Sequence, residues 1–111
     1  MASMAFSGKL NYSHFAKDEN FFIVFPQGFS EHAAVFVFST FTKNAFGVEK
    51  APLCDITGTL LVVSDRRFEV RGTRYYRYRG IFNIDKSALE VEMYEGASTV
   101  AKIQTIAVSM F

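Results

Sequence analysis

RFEVRGTRYYRYRGIFNIDKSALEVEMY, residues 67–94, is the stretch whose reading decides the fold. Apolar residues alternate with charged ones along it, and the period is two: Phe68, Val70, Tyr76, Tyr78 and Phe82 share one parity, and Leu89, Val91 and Met93 the other. Alternation of this kind marks strands with one face on a core and one in solvent. Gly72-Thr73-Arg74 and Asp85-Lys86 interrupt it where hairpins turn, so the segment reads as three antiparallel strands.

Parity then restricts the register, because opposed residues must point to the same side of the sheet. A three-residue loop at Gly72-Thr73-Arg74 sets Phe68 opposite Tyr78, Val70 opposite Tyr76 and, outside, Glu69 opposite Arg77. A continuous bent strand over 67–84 gives the same faces without that pairing. A two-residue loop at Asp85-Lys86 sets Phe82 opposite Leu89 and Tyr78 opposite Met93, with Arg79 opposite Glu92 and Ile81 opposite Glu90 on the outer face. Cross-strand pairs of opposite charge stabilise a sheet by about 0.2–1 kcal/mol each.

The same period extends to both ends of the chain. Met4, Phe6, Leu10, Tyr12 and His14 share a face over 4–14, and 20–25 is apolar on both faces up to the turn at Pro26-Gln27-Gly28. Residues 32–42 form another two-sided apolar strand; Ser30 and Glu31 could open a short helix there, but Val35, Phe36, Val37 and Phe38 favour a strand. A loop follows over 43–52, then strands at 56–63, 67–71, 75–84, 88–94 and 99–110. In the last of these Ala101 and Ile103 differ in parity from Ile106, Val108 and Met110, which a bulge near Gln104 would reconcile. The expectation is an all-β chain of 111 residues, a single antiparallel barrel or two-sheet sandwich of seven or eight strands with mostly meander connections. One domain, 1–111, accounts for the length.

Composition bounds the function classes. The formal charge is +1 and the only cysteine is Cys54, so an internal disulfide is excluded. No basic, apolar leader is visible and no apolar run approaches the ~20 residues of a membrane helix, which makes a cytoplasmic location without membrane contact the default expectation.

All six arginines lie within residues 66–79, while the six lysines are dispersed. With Asp65 and Glu69 deducted, 65–79 carries +4, and Tyr75, Tyr76 and Tyr78 are interspersed. Guanidinium groups bind phosphate and carboxylate in bidentate fashion, so the segment is a candidate anion site. The register gives Arg77 and Arg79 acidic partners, which leaves Arg66, Arg67, Arg71 and Arg74, with Tyr75, as the candidate residues. A solvated, charge-paired sheet face is the simpler reading of the bias.

Thirteen phenylalanines occur with no tryptophan, and eight of them fall between Phe21 and Phe46. Phe21, Phe22, Phe25, Phe36, Phe38 and Phe41 lie on strands apolar on both sides, so one face has the core and the other needs cover. A second subunit, commonly a symmetric homodimer, or a small apolar ligand would supply it.

Other chemistry is sparsely represented. His14 and His32 make no metal-ligand spacing with Cys54, and no phosphate-binding glycine loop or nucleophile elbow is present, so neither a cofactor nor a metal is expected. The leading expectation is a non-enzymatic binding protein, homodimeric, taking a small apolar or amphipathic molecule whose acidic group an arginine could orient. A protein- or single-stranded nucleic-acid-binding module using the arginine hairpin is the second, with nucleic acid the less favoured partner. An enzyme centred on His14 or Cys54 is the third.

Overall fold

In a computed structural model of the chain, residues 3–12, 16–39, 42–44, 47–49, 53–71 and 76–108 are described, those at 42–44, 47–49 and 53–57 by backbone alone. They form ten strands and no helix: β1 (Met4–Tyr12), β2 (Ala16–Phe25), β3 (Ala34–Ser39), β4 (Thr42–Asn44), β5 (Gly47–Glu49), β6 (Leu53–Val62), β7 (Arg67–Arg71), β8 (Arg77–Phe82), β9 (Ala88–Glu95) and β10 (Ser98–Val108). Eight of them close into an antiparallel barrel in the order β1-β10-β9-β8-β7-β6-β3-β2, an up-and-down meander. β4 and β5 pair only with each other, as a hairpin between β3 and β6. The loop expected at 43–52 therefore contains strand pairing. That segment has no extended alternation to announce it.

Alternation sends one side of each strand into the barrel. Phe6, Leu10 and Tyr12 of β1, Phe21, Ile23 and Phe25 of β2, Val35 and Val37 of β3, and Leu60 of β6 are buried, as are Phe68, Val70, Tyr78, Phe82, Leu89, Val91, Met93 and Ile103 opposite them. Each large apolar side chain withdrawn from water contributes about 1.5–3 kcal/mol. One end of the core is aromatic: Phe25 meets Phe6 at 6.0 Å and Phe68 at 5.4 Å between centroids, both edge-on, and Phe82 lies 5.5 Å from both Phe6 and Phe68. Phe29, from the β2–β3 connection, packs on Phe82 at 5.0 Å, and the Lys86 ammonium sits 5.0 Å above the Phe29 ring. This cation closes the end of the aromatic cluster.

The β8–β9 register is the one the alternation implies, with Phe82 opposite Leu89, Tyr78 opposite Met93, Arg79 opposite Glu92 and Ile81 opposite Glu90. The β7–β8 register keeps the expected faces but is displaced by two residues. Glu69 opposes Arg79 rather than Arg77, and Phe68 opposes Gly80 rather than Tyr78. The reason is volume. A Cβ at Gly80 would lie 2.5 Å from Phe68 Cζ and 2.9 Å from Leu89 Cδ1, so the Phe68 ring occupies the space that only glycine leaves, whereas the expected register would set two large rings against each other.

Three further expectations are corrected. The strand expected from His32 begins only at Ala34, because Glu31 and His32 form a turn. β2 begins at Ala16, four residues before the apolar run, because β1 pairs with it from Lys9 opposite Asn20 to Tyr12 opposite Ala16. An irregularity there is taken up at Asp18, with φ of 53° and its N–H donating to Asn11 Oδ1 at 3.0 Å. In β10 the bulge lies between Thr99 and Ala101, not near Gln104, and the ladder with β9 runs unbroken from Ala101 to Ile106. Thr105 therefore points inward, its hydroxyl donating to the Leu89 carbonyl at 2.7 Å. Ile106 and Val108 are left outside, 67% and 39% exposed.

Candidate functional site

The outer surface of the barrel divides into two halves of different chemistry. Outward positions on β7, β8, β9 and the middle of β10 bear Arg67, Glu69, Arg71, Arg77, Arg79, Ile81, Glu90, Glu92, Tyr94, Lys102 and Gln104, and several of their polar groups are bonded to one another. Arg79 lies between Glu69 and Glu92 in the ladders, with its guanidinium 3.4 Å from Glu92 Oε2 and 4.6 Å from the centre of the Tyr94 ring. The Tyr94 hydroxyl donates to the same carboxylate oxygen at 2.6 Å. That hydrogen bond, with help from Arg79, holds the Glu92 carboxyl below its ordinary range against the opposing effect of partial burial. Burial, followed by the bond to Glu92, raises the Tyr94 phenol. Nearby, Gln104 Nε2 donates to Glu90 at 2.7 Å and Arg77 to the Gly96 carbonyl at 2.6 Å.

This geometry disperses the arginine cluster. Arg66 is half-buried beside β8, its guanidinium 3.5 Å from the Phe82 carbonyl, while Arg67 and Arg71 are exposed at opposite ends of β7. Four residues of strand separate them by about 13 Å, too far for one phosphate or carboxylate. Arg74 and Tyr75 lie outside the described residues. The groove between Arg67 and Arg79, about 220 Å³, is also lined by Glu69, Glu90 and Glu92, so its charge is unsuited to an anion.

The phenylalanines divide along the strand period. Phe21 and Phe25 are core residues with no exposed surface. Phe22 points outward at 40% exposure, and Phe36 and Phe38 point outward half-exposed, 6.4 Å apart. Phe41 lies outside the described residues. Around the barrel the outward residues fall into rows perpendicular to the strands. One row runs Phe38, Phe22, Ser7, Ile106 over β3, β2, β1 and β10; the row below it runs Phe36, Val24, Ala5, Val108. Among the described residues neither row contains a charge. A third row, Asn20 and Lys9, borders them, with Lys9 Nζ donating to Asn20 Oδ1 at 2.6 Å.

Sequence reasoning missed Ile106 and Val108 as members of this surface. Their apolarity, with that of Met110, argued for a change of face near Gln104, which an inward Thr105 bonded to the Leu89 carbonyl makes unnecessary. His14 lies outside the described residues, as does the side chain of Cys54, whose backbone opposes Phe38 in β6. His32 is exposed and 3.8 Å from Glu31. Among the described residues no group of three or more His, Cys, Asp or Glu side chains could hold a metal ion, and no helix is long and apolar enough to cross a membrane.

No known protein family, curated protein or solved structure matches the chain.

Proposed function

We propose that the protein is a non-catalytic binding module that self-associates, burying the apolar rows of β3, β2, β1 and β10 against a second copy. The observation that carries this reading is the two-sided character of the barrel: charged and polar side chains, several bonded to one another, on β7–β9 and the middle of β10, and two rows without charge on the opposite side. Water is poorly accommodated by a contiguous surface that includes Phe22, Phe36, Phe38, Ile106 and Val108, and association removes it. A second copy suits a charge-free centre, because like surfaces without charge meet with no electrostatic penalty.

Size sets the strength. Four strands ~4.8 Å wide and three rows ~7 Å deep give on the order of 400 Å² per protomer, below the ~800 Å² per partner of a standard stable interface. The dimer is accordingly weak, with dissociation in the micromolar range. An internal ligand has less support, since Phe21 and Phe25, which were to line it, pack against Tyr78, Phe6, Phe68 and Phe82.

Sedimentation velocity over roughly 1–300 μM, a span chosen to bracket micromolar affinity, tests the reading. Reversible dimerisation that Phe22→Asp abolishes supports it. A species monomeric throughout overturns it, and a monomer that floats with uncharged phosphatidylcholine vesicles through Phe22 would assign the face to lipid instead.

A further inference from the structure

The two rows are not uniformly bulky, and their order of sizes is self-complementary. Across β3, β2, β1 and β10 the first reads Phe38, Phe22, Ser7, Ile106 and the second Phe36, Val24, Ala5, Val108. Large side chains stand on β2 and β3 and again on β10, with a trough along β1 where Ser7 and Ala5 are small; Ser7 is its open part, since Ala5 is already covered by its neighbours. We infer that two copies pair about a two-fold axis running along the seam between β1 and β2, so that Phe22 of each protomer enters the trough over Ser7 of the other. This rests on the self-association proposed above and specifies its geometry.

An axis in the interface plane and parallel to the strands reverses the order of strands while keeping each row at its own height. β2 then lies over β1 of the second copy, and β3 over its β10. Phe22 meets Ser7, Phe38 meets Ile106 and Phe36 meets Val108, while Val24 lies over the already buried Ala5, each pair occurring twice, as an isologous interface requires. In the bordering row Lys9 comes over Asn20 and not over a second Lys9, which avoids opposing like charges and offers the ammonium another amide oxygen. Barrel curvature draws β3 and β10 back from the plane of contact, and those are the strands with long outward side chains to span the gap. A tilt of about 15° between axis and seam gives the crossing of roughly 30° usual for aligned sheets. A two-fold along the β2–β3 seam instead sets Phe22 against Phe38 and leaves the β1 trough empty.

Exchange of the two sizes tests the seam. Ser7→Phe alone sets two phenyl rings in one space, and Phe22→Ser alone leaves the trough empty; each weakens dimerisation about tenfold or more, as loss of a central anchor does. The double variant Ser7→Phe/Phe22→Ser recreates the same interlock with the strands exchanged, and its dimerisation returns to within about threefold of the parent, a difference under 1 kcal/mol. Circular-dichroism melts establish that all four proteins are folded where sedimentation is measured. Parent dimerisation that both single variants weaken and the double variant leaves weak overturns the seam while self-association stands. A parent that never dimerises, or dimerises regardless of either substitution, overturns both.

Discussion

Gly80→Ala is expected to destabilise the barrel, although glycine-to-alanine changes in strands ordinarily stabilise. The added methyl would lie 2.5 Å from Phe68 Cζ, 2.6 Å from Phe68 Cε1 and 2.9 Å from Leu89 Cδ1, distances that no Cβ contact sustains. Phe68 is confined by Phe25, Phe29 and Phe82, with ring centres 5.4, 5.9 and 5.5 Å away, so relief requires several rings to move. Overpacking of this kind costs about 1–3 kcal/mol. Reduced freedom of the unfolded chain returns about 0.4–1 kcal/mol, which leaves a net loss of about 1–2 kcal/mol. At this chain length each kcal/mol lowers Tm by about 4 °C, so thermal unfolding should shift down by about 4–8 °C. A second substitution, Phe68→Leu, removes the ring that the methyl meets, and the two changes should couple favourably in a double-mutant cycle by about 1 kcal/mol. An unchanged or raised Tm for Gly80→Ala, with no coupling to Phe68→Leu, would refute the Phe68–Gly80 pairing. The β7–β8 register would fall with it, and with that register the position of Arg79 between Glu69 and Glu92.

Three other outcomes follow from named contacts. Glu92 has a depressed folded-state pKa, so its contribution to stability is complete above the unfolded carboxyl value of 4.5 and is lost as pH falls through the lower folded value; Glu92→Gln should reduce the difference in Tm between neutral and strongly acidic solution. Tyr94 is raised above 10.0, and the stability it contributes below that pH disappears as alkali carries the solution through the folded value; Tyr94→Phe should flatten the alkaline limb of the stability curve. Thr105→Val preserves the shape of an inward side chain but removes the donor to the Leu89 carbonyl, and denaturant unfolding should record a loss of about 1 kcal/mol.

Legibility of the fold varied with how strictly each segment alternates. Among the described residues from Arg67 to Tyr94 the buried side chains are apolar or tyrosine, and the β8–β9 ladder followed from parity and a short turn. The β7–β8 ladder escaped because Gly80 carries no side chain, and its value as the empty position opposite a ring appears only when Phe68 is seen there. Parity fixes which face a residue occupies; it leaves the register free to move by two. β4 and β5 escaped because three-residue strands hold too few positions to display a period. In β10 the apolarity of Ile106, Val108 and Met110 argued for a change of face, but Thr105 keeps the phase of Ala101 and Ile103, its hydroxyl satisfied inside by the Leu89 carbonyl 2.7 Å away.

The site divides in the same manner. That one face of the phenylalanine strands would remain after the core was filled could be read from Phe21 to Phe38, since both parities are apolar. Assignment of Phe21 and Phe25 to the interior, and of Phe22, Phe36 and Phe38 to the exterior, needed the closed barrel. The arginine cluster ran the other way. Its members are adjacent in sequence, but an extended strand advances about 3.3 Å per residue, so nearness along a strand becomes distance along the barrel wall. Arg66 and Arg67 end near the β8–β9 turn, and Arg71 ends at the far rim.

Closure of the barrel also limits how a partner can be recognised. All eight strands have neighbours on both sides, so none offers an open edge for an added strand. Recognition by the barrel must therefore use side chains on its outer wall or at its ends. On the wall from β7 to β10 several of those side chains are already engaged: Arg79 with Glu92 and Tyr94, Gln104 with Glu90, Arg77 with the Gly96 carbonyl. A partner there would have to replace hydrogen bonds with others of similar worth, for little net gain. Against the rows of Phe22, Phe38 and Ile106 it displaces only water, and the free energy of contact is retained. The chemistry of the wall thus favours the phenylalanine face over the arginine hairpin as the working surface, although the arginines are the stronger bias in the sequence.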